Sequence, residues 1–286
     1  MCREVYESLP AARELFERAA EVLGYDLAAV CFEGPESRLH STEVSQPALF
    51  VSGMVALEKL KETSPEVIEQ CQAAAGLSLG EYTAITFAGG MSFEEGLRLV
   101  QRRGEAMQAA SDQVDSGMVS ILGLDPDAVQ AVCDQARQEG EILQIANLLC
   151  PGNIVVSGHR AACDRVAPIA AEAGAIKTIP LTVAGAFHTA LMEPAVAPLQ
   201  QALQEVDFSA TRIPVYSNVD ASPHSDPESF RELLGRQVGS PVRWHESIEA
   251  MRAAGIETFY EVGYGRVLRG LIKRIHRKTP CHGVLD

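Results

Sequence analysis

Apolar residues recur at helical spacing along the first third of the chain. Between Leu9 and Leu23 they fall three and four residues apart, and Pro10 stands in a first helical turn, where proline is tolerated. Ser92 and Glu95 have the spacing of a capping box at the start of another helix. The pattern predicts helices at Leu9–Leu23, Pro47–Leu60, Glu81–Phe87 and Ser92–Ala110.

A short apolar run precedes the third of these helices. Cys71 to Ala75 is followed by Gly76, which suits a buried strand that enters a tight turn. The residues from Ser64 to Gln72 are expected to form a connection leading into this run.

The pattern changes near Ser116, where strands and helices begin to alternate. Their β-α-β-β-α-β order is that of the ferredoxin-like motif. We therefore expect an inserted ferredoxin-like small subdomain at residues 116–184, between two parts of a large α/β subdomain at 1–115 and 185–286. The predicted strands are Val119–Leu124, Ile142–Asn147, Ile154–Ser157 and Ala175–Val183, and the predicted helices are Asp125–Gln138 and Arg160–Ala173.

The last third of the chain returns to longer helices separated by strands. This alternation predicts a parallel sheet in the large subdomain. The predicted helices are Ala190–Glu205 and Pro227–Gln237, the strands are Ile213–Ser217 and Glu257–Val262, and Ala221–Pro227 is a predicted loop.

Composition and charge narrow the possible functions. The chain has 286 residues, 47% of them hydrophobic, so it can bury a large core. Its net charge of −14 would repel nucleic acids. The seven cysteines are scattered and lack CxxC spacing, which favours reduced thiols and a cytoplasmic location. No apolar signal segment opens the chain, and no apolar run reaches the ~20 residues of a membrane span, so we expect no membrane association.

The strongest local motif is the G-x-S-x-G run from Gly76 to Gly80. Between a strand and a helix, this pattern forms a nucleophile elbow, in which the serine hydroxyl projects from the sheet and the next backbone N–H points at a developing oxyanion. The motif predicts Ser78 as a nucleophile in an α/β-hydrolase-like, parallel-sheet large subdomain. The alternative is a simple turn with a buried serine.

A serine nucleophile needs a base, and the chain has seven histidines. His188 lies between a predicted strand and a predicted helix, a loop position typical of a catalytic base. On this evidence alone, a structural histidine in the core or a loop remains the commoner interpretation. His224 lies in the polar loop, and the basic tail around His276 and His282 favours a solvated face.

Two adjacent arginines, Arg102 and Arg103, lie on the helix predicted at Ser92–Ala110. They cannot point in the same direction, so one can face the interior, where it would bind a carboxylate through two parallel hydrogen bonds. Gly104 would allow another backbone to approach closely. From the residues alone, a surface position for Arg103 is favoured.

These segments together resemble the malonyl-CoA:acyl carrier protein transacylase family, which includes the acyltransferase domains of polyketide synthases. The likeness runs from about Tyr6 to the last helix. The matching segments are Gly76 to Tyr82, Arg103 to Met107, Gly185 to His188, Glu261 to Gly265, Thr42 to Leu49, Asn147 with Pro151 and Gly152, and Gln237 to Trp244.

The resemblance implies a ping-pong reaction that feeds fatty acid or polyketide synthesis. Ser78 would take the malonyl group from malonyl-CoA, with His188 as base, and pass it to the phosphopantetheine thiol of an acyl carrier protein. The coenzyme A thioester is a substrate, and neither a bound cofactor nor a metal ion is implied.

The resemblance also assigns the residues around this pair. The backbone carbonyl of Gln237 would orient the base, and the Leu79 N–H would serve the oxyanion. Arg103 would bind the malonyl carboxylate, with Met107 and Gln46 lining the same pocket. Phe187 would leave little room for an α-methyl branch, which favours malonyl over methylmalonyl by a small margin.

Two departures from the family stand out. Leu77 occupies the position before the nucleophile where the family has histidine, and that neighbour is not the base. Members of the family begin with a strand and a Gly-Gln-Gly-Ala-Gln loop, and the second glutamine of that loop donates a second backbone N–H to the oxyanion. No such strand and loop precede Met1 in this sequence. We expect that the recorded start of the chain lies downstream of the true start. The alternative, which we favour less, is that the protein is a weakened or repurposed relative of the family.

Two other functions are compatible with the same residues. A hydrolase would use Ser78 and His188 to pass the acyl group to water, but it would not need Arg103 for neutral chains. A catalytically silent module that binds a carrier protein is the alternative from another class.

Overall fold

The structure is a computed structural model that describes residues 1–39 and 41–285. The helices are α1 Arg3–Ser8, α2 Pro10–Leu23, α3 Leu27–Glu33, α4 Glu36–Leu39, α5 Thr42–Thr63, α6 Pro65–Glu69, α7 Gly80–Ala88, α8 Phe93–Ser111, α9 Pro126–Ala136, α10 Arg160–Glu172, α11 Glu193–Gln204, α12 Pro227–Gln237, α13 Trp244–Ala253 and α14 Val267–Ile275. The strands are β1 Ala74–Ala75, β2 Ser116–Leu122, β3 Leu143–Cys150, β4 Asn153–His159, β5 Lys177–Pro180, β6 Val215–Tyr216, β7 Pro223–His224, β8 Phe259–Tyr264 and β9 Cys281–Leu285. A 3₁₀ turn at Ala190–Met192 precedes α11.

Two helices of the first third, α2 and α8, begin where their sequence signals lie. Proline occupies the first turn of α2. At the start of α8, Ser92 Oγ accepts from the N–H of Glu95, and Glu95 Oε2 accepts from the N–H of Ser92 at 2.9 Å. The predicted capping box is therefore confirmed. α5 begins five residues before the predicted helix, and the expected connection from Ser64 contains the short helix α6.

The large subdomain contains a short sheet in the order β1-β6-β7. β1 and β6 pair in parallel, with Ala74 opposite Val215 and Ala75 opposite Tyr216. β7 is antiparallel to β6 and lies within the segment predicted as a loop. β8 and β9 form a separate parallel pair. Parallel pairing is thus confirmed for the predicted strands that became β1 and β6, whereas β7 and β9 were not predicted and β8 pairs with β9 in a sheet of its own.

The middle of the chain folds into a four-stranded antiparallel sheet in the order β3-β4-β2-β5. This is the strand order that a β-α-β-β-α-β chain adopts in the ferredoxin-like motif, so that prediction is confirmed. Val119, Ile121 and Val156 share one face of the sheet and pack with α9 and α10 in a core of their own. Met118 and Val155 point to the other face, as the two-residue period of a strand requires.

The larger apolar core is formed by α2, α5, α7, α8, α11 and α12. Gly104 on α8 allows the close approach that was predicted, since an added Cβ would lie 2.8 Å from the carbonyl oxygen of Thr42. Among the described residues, no helix is both long and apolar enough to cross a membrane.

Candidate active site

The run from Gly76 to Gly80 forms a tight turn between β1 and α7. Ser78 has a left-handed backbone with φ 51°, which is a strained conformation for a residue with a side chain. Gly76 is required there, because a Cβ would lie 1.9 Å from the carbonyl carbon of Gly80. Asn218 braces the turn: its Oδ1 accepts from the Ser78 N–H at 2.6 Å and its Nδ2 donates to the Gly76 carbonyl at 2.7 Å. The geometry is that of a nucleophile elbow.

His188 lies directly beside this turn. Its Nε2 is 2.8 Å from Ser78 Oγ, and its Nδ1 is 3.0 Å from the main-chain oxygen of Gln237. A carbonyl oxygen can only accept, so Nδ1 carries the proton and Nε2 offers a lone pair to the serine hydroxyl. The arrangement gives a serine–histidine pair whose base is oriented by a backbone carbonyl.

Arg103 is buried, with 1% of its surface exposed, so the favoured surface position is wrong for this residue. Its neighbour Arg102 faces solvent. Arg103 Nη2 donates to Ser78 Oγ at 2.9 Å and to Gln237 Oε1 at 3.0 Å, and Nη1 donates to Gln46 Oε1 at 2.7 Å. Packing against α5 and α7 turns this arginine inward, and these hydrogen bonds offset the cost of burying its charge.

Gln46 and Met107 lie next to the arginine, as expected. Gln46 Nε2 lies 3.5 Å from Met107 Sδ, so the same amide contacts both the guanidinium and the thioether. Met107 stands one helical turn after Arg103 on α8. Gln46 therefore links the Met107 side chain to the guanidinium of Arg103.

Phe187 precedes the base and packs where the two apolar cores meet. It contacts the face of the small sheet that carries Met118 and Val155 as well as the core of the large subdomain. The ring is thus held between the subdomains beside His188.

Two site residues, Glu81 and Asn218, were not predicted. Glu81 belongs to the segment that carries the elbow, but its side chain points inward and accepts from Gln237 Nε2 at 2.7 Å. Its Oε2 also accepts from the Asn218 N–H at 3.1 Å. The sequence signal for Glu81 was its place three residues after the nucleophile, whereas Asn218 carries no local signal.

Burial sets the protonation of two groups. Burial, and then the charge of Arg103, lower the pKa of His188 to about 4, so the imidazole is neutral at pH 7. Burial raises the pKa of Glu81 to about 7, against the opposing effect of its hydrogen bonds to Gln237, Asn218 and Ser217. A neutral imidazole is the form that can accept the serine proton.

Two other described histidines have partners outside the site. His224 pairs with Asp220 at 2.9 Å, and His276 Nδ1 lies 2.8 Å from Thr279 Oγ1. His40 lies outside the described residues. In residues 1–39 and 41–285, no group of three or more His, Cys, Asp or Glu side chains is placed to hold a metal ion.

Comparisons with known proteins show the family of the chain. The family model described as "Acyl transferase domain" matches residues 1–280. The malonyl CoA-acyl carrier protein transacylase of Bacillus subtilis is 40% identical over 288 residues, which cover 100% of this chain and 89% of that protein. The mitochondrial malonyl-CoA-acyl carrier protein transacylase of Homo sapiens is 42% identical over 275 residues, or 92% of this chain and 70% of that protein.

Solved structures are similar over the whole chain. The acyl carrier protein S-malonyltransferase of Vibrio cholerae superposes with a TM-score of 0.93 at 38% identity, covering 100% of this chain and 92% of the other. A malonyl-transacylase in complex with its type II PKS acyl-carrier protein gives a TM-score of 0.95 at 35% identity, covering 100% and 91%.

Proposed function

We propose that this chain, which belongs to the acyl transferase domain family, transfers a malonyl group from malonyl-CoA to the phosphopantetheine thiol of an acyl carrier protein. The observation that carries the proposal is the position of Ser78 Oγ, 2.8 Å from His188 Nε2 and 2.9 Å from Arg103 Nη2. One hydroxyl thus contacts both a neutral base and a cation that can bind a free carboxylate. The full-length similarity to malonyl transacylases supports the same substrates.

The first half of the reaction loads the enzyme. Ser78 Oγ attacks the thioester carbonyl carbon while its proton passes to His188 Nε2. The imidazolium that forms is stabilised by the Gln237 carbonyl, which accepts from Nδ1. The backbone N–H of Leu79 is proposed to donate to the oxyanion. When the tetrahedral intermediate collapses, the C–S bond breaks and His188 returns the proton to the coenzyme A thiolate.

The second half reverses these roles with a different thiol. The phosphopantetheine thiol of the carrier protein gives its proton to His188 Nε2, and its sulfur attacks the malonyl-serine ester. The ester C–O bond breaks, and Ser78 Oγ recovers the proton. The pair returns to its starting state, so the reaction needs no further acid or base.

In this proposal, Arg103 selects acyl groups that carry a free carboxylate. Its guanidinium is fixed by Gln46 and Gln237, and a malonyl carboxylate would replace the hydrogen bond that Nη2 now gives to Ser78. Charge-assisted hydrogen bonds of this kind are about twice as strong as neutral ones. A neutral acetyl or longer chain gains nothing from this contact.

Intact mass after incubation with isotopically labelled malonyl-CoA tests the proposal. We expect a malonyl adduct on the wild-type chain, no adduct on Ser78→Ala, and transfer of the label to added holo-carrier protein. Release to water faster than to the carrier protein would indicate a hydrolase instead. A folded wild-type chain that takes no adduct would indicate a silent carrier-binding module and contradict the proposal.

The arginine has a matched control in its neighbour. Arg103→Ala should lower malonyl loading about 10²-fold, because the charge-assisted hydrogen bond to the malonyl carboxylate is lost, and leave acetyl loading equal or higher. Arg102→Ala removes the same charge from an exposed side chain on the same helix and should leave both rates unchanged. Equal malonyl loading by Arg103→Ala and wild type would exclude the role given to Arg103.

Three further points belong to the proposal. The nucleophile, base and carboxylate ligand are all side chains of this chain, and the coenzyme A thioester and the phosphopantetheine thiol enter the proposal as substrates. A cytoplasmic location is supported by the seven cysteines, all of which are free thiols. The division into 1–115, 116–184 and 185–286 is supported by the separate apolar core of the four-stranded sheet, which starts at Ser116.

A further inference from the structure

Behind the catalytic pair lies a buried carboxylate that the proposed reaction does not use. Glu81 is 2% exposed, and its Oε2 accepts hydrogen bonds from Gln237 Nε2 and from the Asn218 N–H. A carboxylate taken out of water is costly unless donors surround it, so its presence here calls for a role.

The amide of Gln237 connects this carboxylate to Arg103. Gln237 Oε1 accepts from Arg103 Nη2 at 3.0 Å, while its Nε2 donates to Glu81 Oε2 at 2.7 Å and to the Ser78 carbonyl at 3.1 Å. An amide with its oxygen toward a cation and its nitrogen toward two acceptors has one satisfactory orientation. Reversing the amide would turn its NH₂ group toward the guanidinium, so Glu81 and the Ser78 carbonyl, the two acceptors of Nε2, together fix which end of Gln237 faces Arg103.

We propose that Glu81 is a positioning residue that, through the side-chain amide of Gln237, holds the Arg103 guanidinium beside Ser78 and so sets the preference for acyl groups with a free carboxylate. The inference rests on the proposed function and deepens it. Its chemical content is a chain of hydrogen bonds from Glu81 to Gln237 to Arg103, with the substrate carboxylate as the next member.

The main chain separates this role from that of the base. His188 is held by the backbone oxygen of Gln237, not by its amide, and that oxygen survives any substitution of the side chain. Disturbing the Glu81 contact should therefore affect Arg103 more than the Ser78–His188 pair. The expected signature is a change in the ratio of malonyl to acetyl loading, which simple loss of stability would not produce.

Single-turnover loading of the full chain with malonyl-CoA and with acetyl-CoA tests this. Glu81→Met removes the acceptor, and Gln237→Met removes the amide but keeps the main-chain carbonyl. Each should lower the malonyl-to-acetyl ratio about tenfold or more, the size expected when a hydrogen bond to a charged group is lost. Glu81→Gln keeps one acceptor oxygen in place and should restore most of the ratio.

Glu261 provides the matched control. It is another buried carboxylate, 8% exposed, whose oxygens accept from the N–H groups of Leu268 and Arg269 at 2.7 and 3.0 Å. Glu261→Met should lower stability without changing the ratio. The double variant Arg103→Ala/Glu81→Met should have the same malonyl-to-acetyl ratio as Arg103→Ala alone.

Two results would overturn the inference. One is a wild-type ratio in a folded Glu81→Met or in Gln237→Met, of which the second carries the test if Glu81→Met does not fold. The other is a further fall of the ratio when Glu81→Met is added to Arg103→Ala. Failure of the proposed function looks different, because the wild-type chain itself would then take no malonyl adduct.

Discussion

The nucleophile and its base both lie in left-handed backbone, Ser78 at φ 51° and His188 at φ 62°, yet the two turns are stabilised in different ways. The elbow is closed by its own residues, since Gly76 packs against the backbone of Gly80. The turn at His188 depends on other segments: its N–H donates to the Val238 carbonyl at 3.0 Å, while its ring rests on Gln237.

The difference shows how strain is distributed in this site. A left-handed non-glycine residue costs on the order of 1–3 kcal/mol, so each turn needs compensating contacts. At the elbow these contacts come from the local chain between Gly76 and Gly80 and from two distant side chains, Asn218 and Gln237. At the base they come from Gln237 and Val238 at the end of α12 and from Ser116 on β2, whose Oγ accepts from the Ala186 N–H at 3.1 Å. Substitutions in the two turns should therefore have different effects on stability and on the loading rate.

The largest expected effect is at the elbow. Gly76→Ala places a Cβ 1.9 Å from the carbonyl carbon of Gly80, a backbone atom that cannot move aside. We expect a loss of unfolding free energy on the order of 3 kcal/mol or more, together with loss of malonyl loading. Urea denaturation and intact mass measure the two.

The second glycine of the motif is the control for this experiment. Gly80→Ala meets nothing within 4 Å at the start of α7, and alanine favours a helix by up to about 1 kcal/mol. We expect unchanged or slightly raised stability. Equal destabilisation by the two substitutions would contradict a steric role specific to Gly76.

The base turn should show a smaller effect that a second substitution can reverse. A Cβ on Gly185 would lie 2.2 Å from Ser111 Oγ on α8, so Gly185→Ala pushes this loop away from the helix that carries Arg103. A displacement of ~1 Å at the base can lower the rate about 10²-fold. We therefore expect malonyl loading by Gly185→Ala to be roughly 10- to 100-fold slower, because the base is misplaced.

Ser111→Gly should restore part of the lost rate, because it removes both the Oγ and the Cβ that the new methyl would meet. Single-turnover loading of the single and double variants measures the recovery. If the double variant is as slow as the product of the single effects, the contact between Gly185 and Ser111 does not position the base.

The two turns also differ in how far their sequence predicts them. The G-x-S-x-G spacing, together with the strand before it and the helix after it, predicted the elbow at Ser78. The ferredoxin-like order of the middle segment was predicted in the same way, from the spacing of its apolar residues. That spacing has a period of two residues in strands and 3.6 residues in helices. Local patterns were sufficient because each of these features is formed by residues close together in the chain.

The rest of the site could not be predicted from local patterns. His188 and Arg103 drew their importance from family resemblance, and from its residues alone Arg103 was expected on the surface. Asn218 is 140 residues from Ser78 and Gln237 is 156 residues from Glu81, so only the packed fold brings these partners together. A buried ionic network carries no spacing signal, because its members come from separate helices and loops.

The base turn, unlike the elbow, carries a proposed selectivity residue. Phe187 packs against the small sheet on one side and the larger core on the other. Phe187→Ala should open space for an α-methyl group and raise methylmalonyl loading relative to malonyl by about tenfold, the lower end of the effect that one methyl group has in an apolar pocket, ~1–3 kcal/mol. Competition between the two thioesters, read by intact mass, measures the ratio. An unchanged ratio would exclude Phe187 as the selective contact.

The smallest expected effect is the response of the base turn to acid. Burial and the charge of Arg103 lower the pKa of His188 to about 4, so the imidazole stays neutral as the pH falls through the usual histidine range. At pH 5 about nine-tenths of the imidazole would be unprotonated, compared with a few per cent at an ordinary pKa of ~6.5. Acetyl-CoA is the suitable substrate for this measurement, because its loading needs neither Arg103 nor the Glu81 carboxyl, whose pKa of about 7 falls in the same range.

Single-turnover acetyl loading should therefore be nearly level from pH 8 to 5 and fall only near pH 4. In Arg103→Ala the removal of a neighbouring positive charge raises the pKa of His188, so the acid limb should move to higher pH, whereas Arg102→Ala should leave it in place. A wild-type limb near pH 6.5 would mean that the imidazole meets water in the working enzyme. The turn that carries His188 would then be accessible to water in solution, and its burial would differ more from that of the elbow than the geometry indicates.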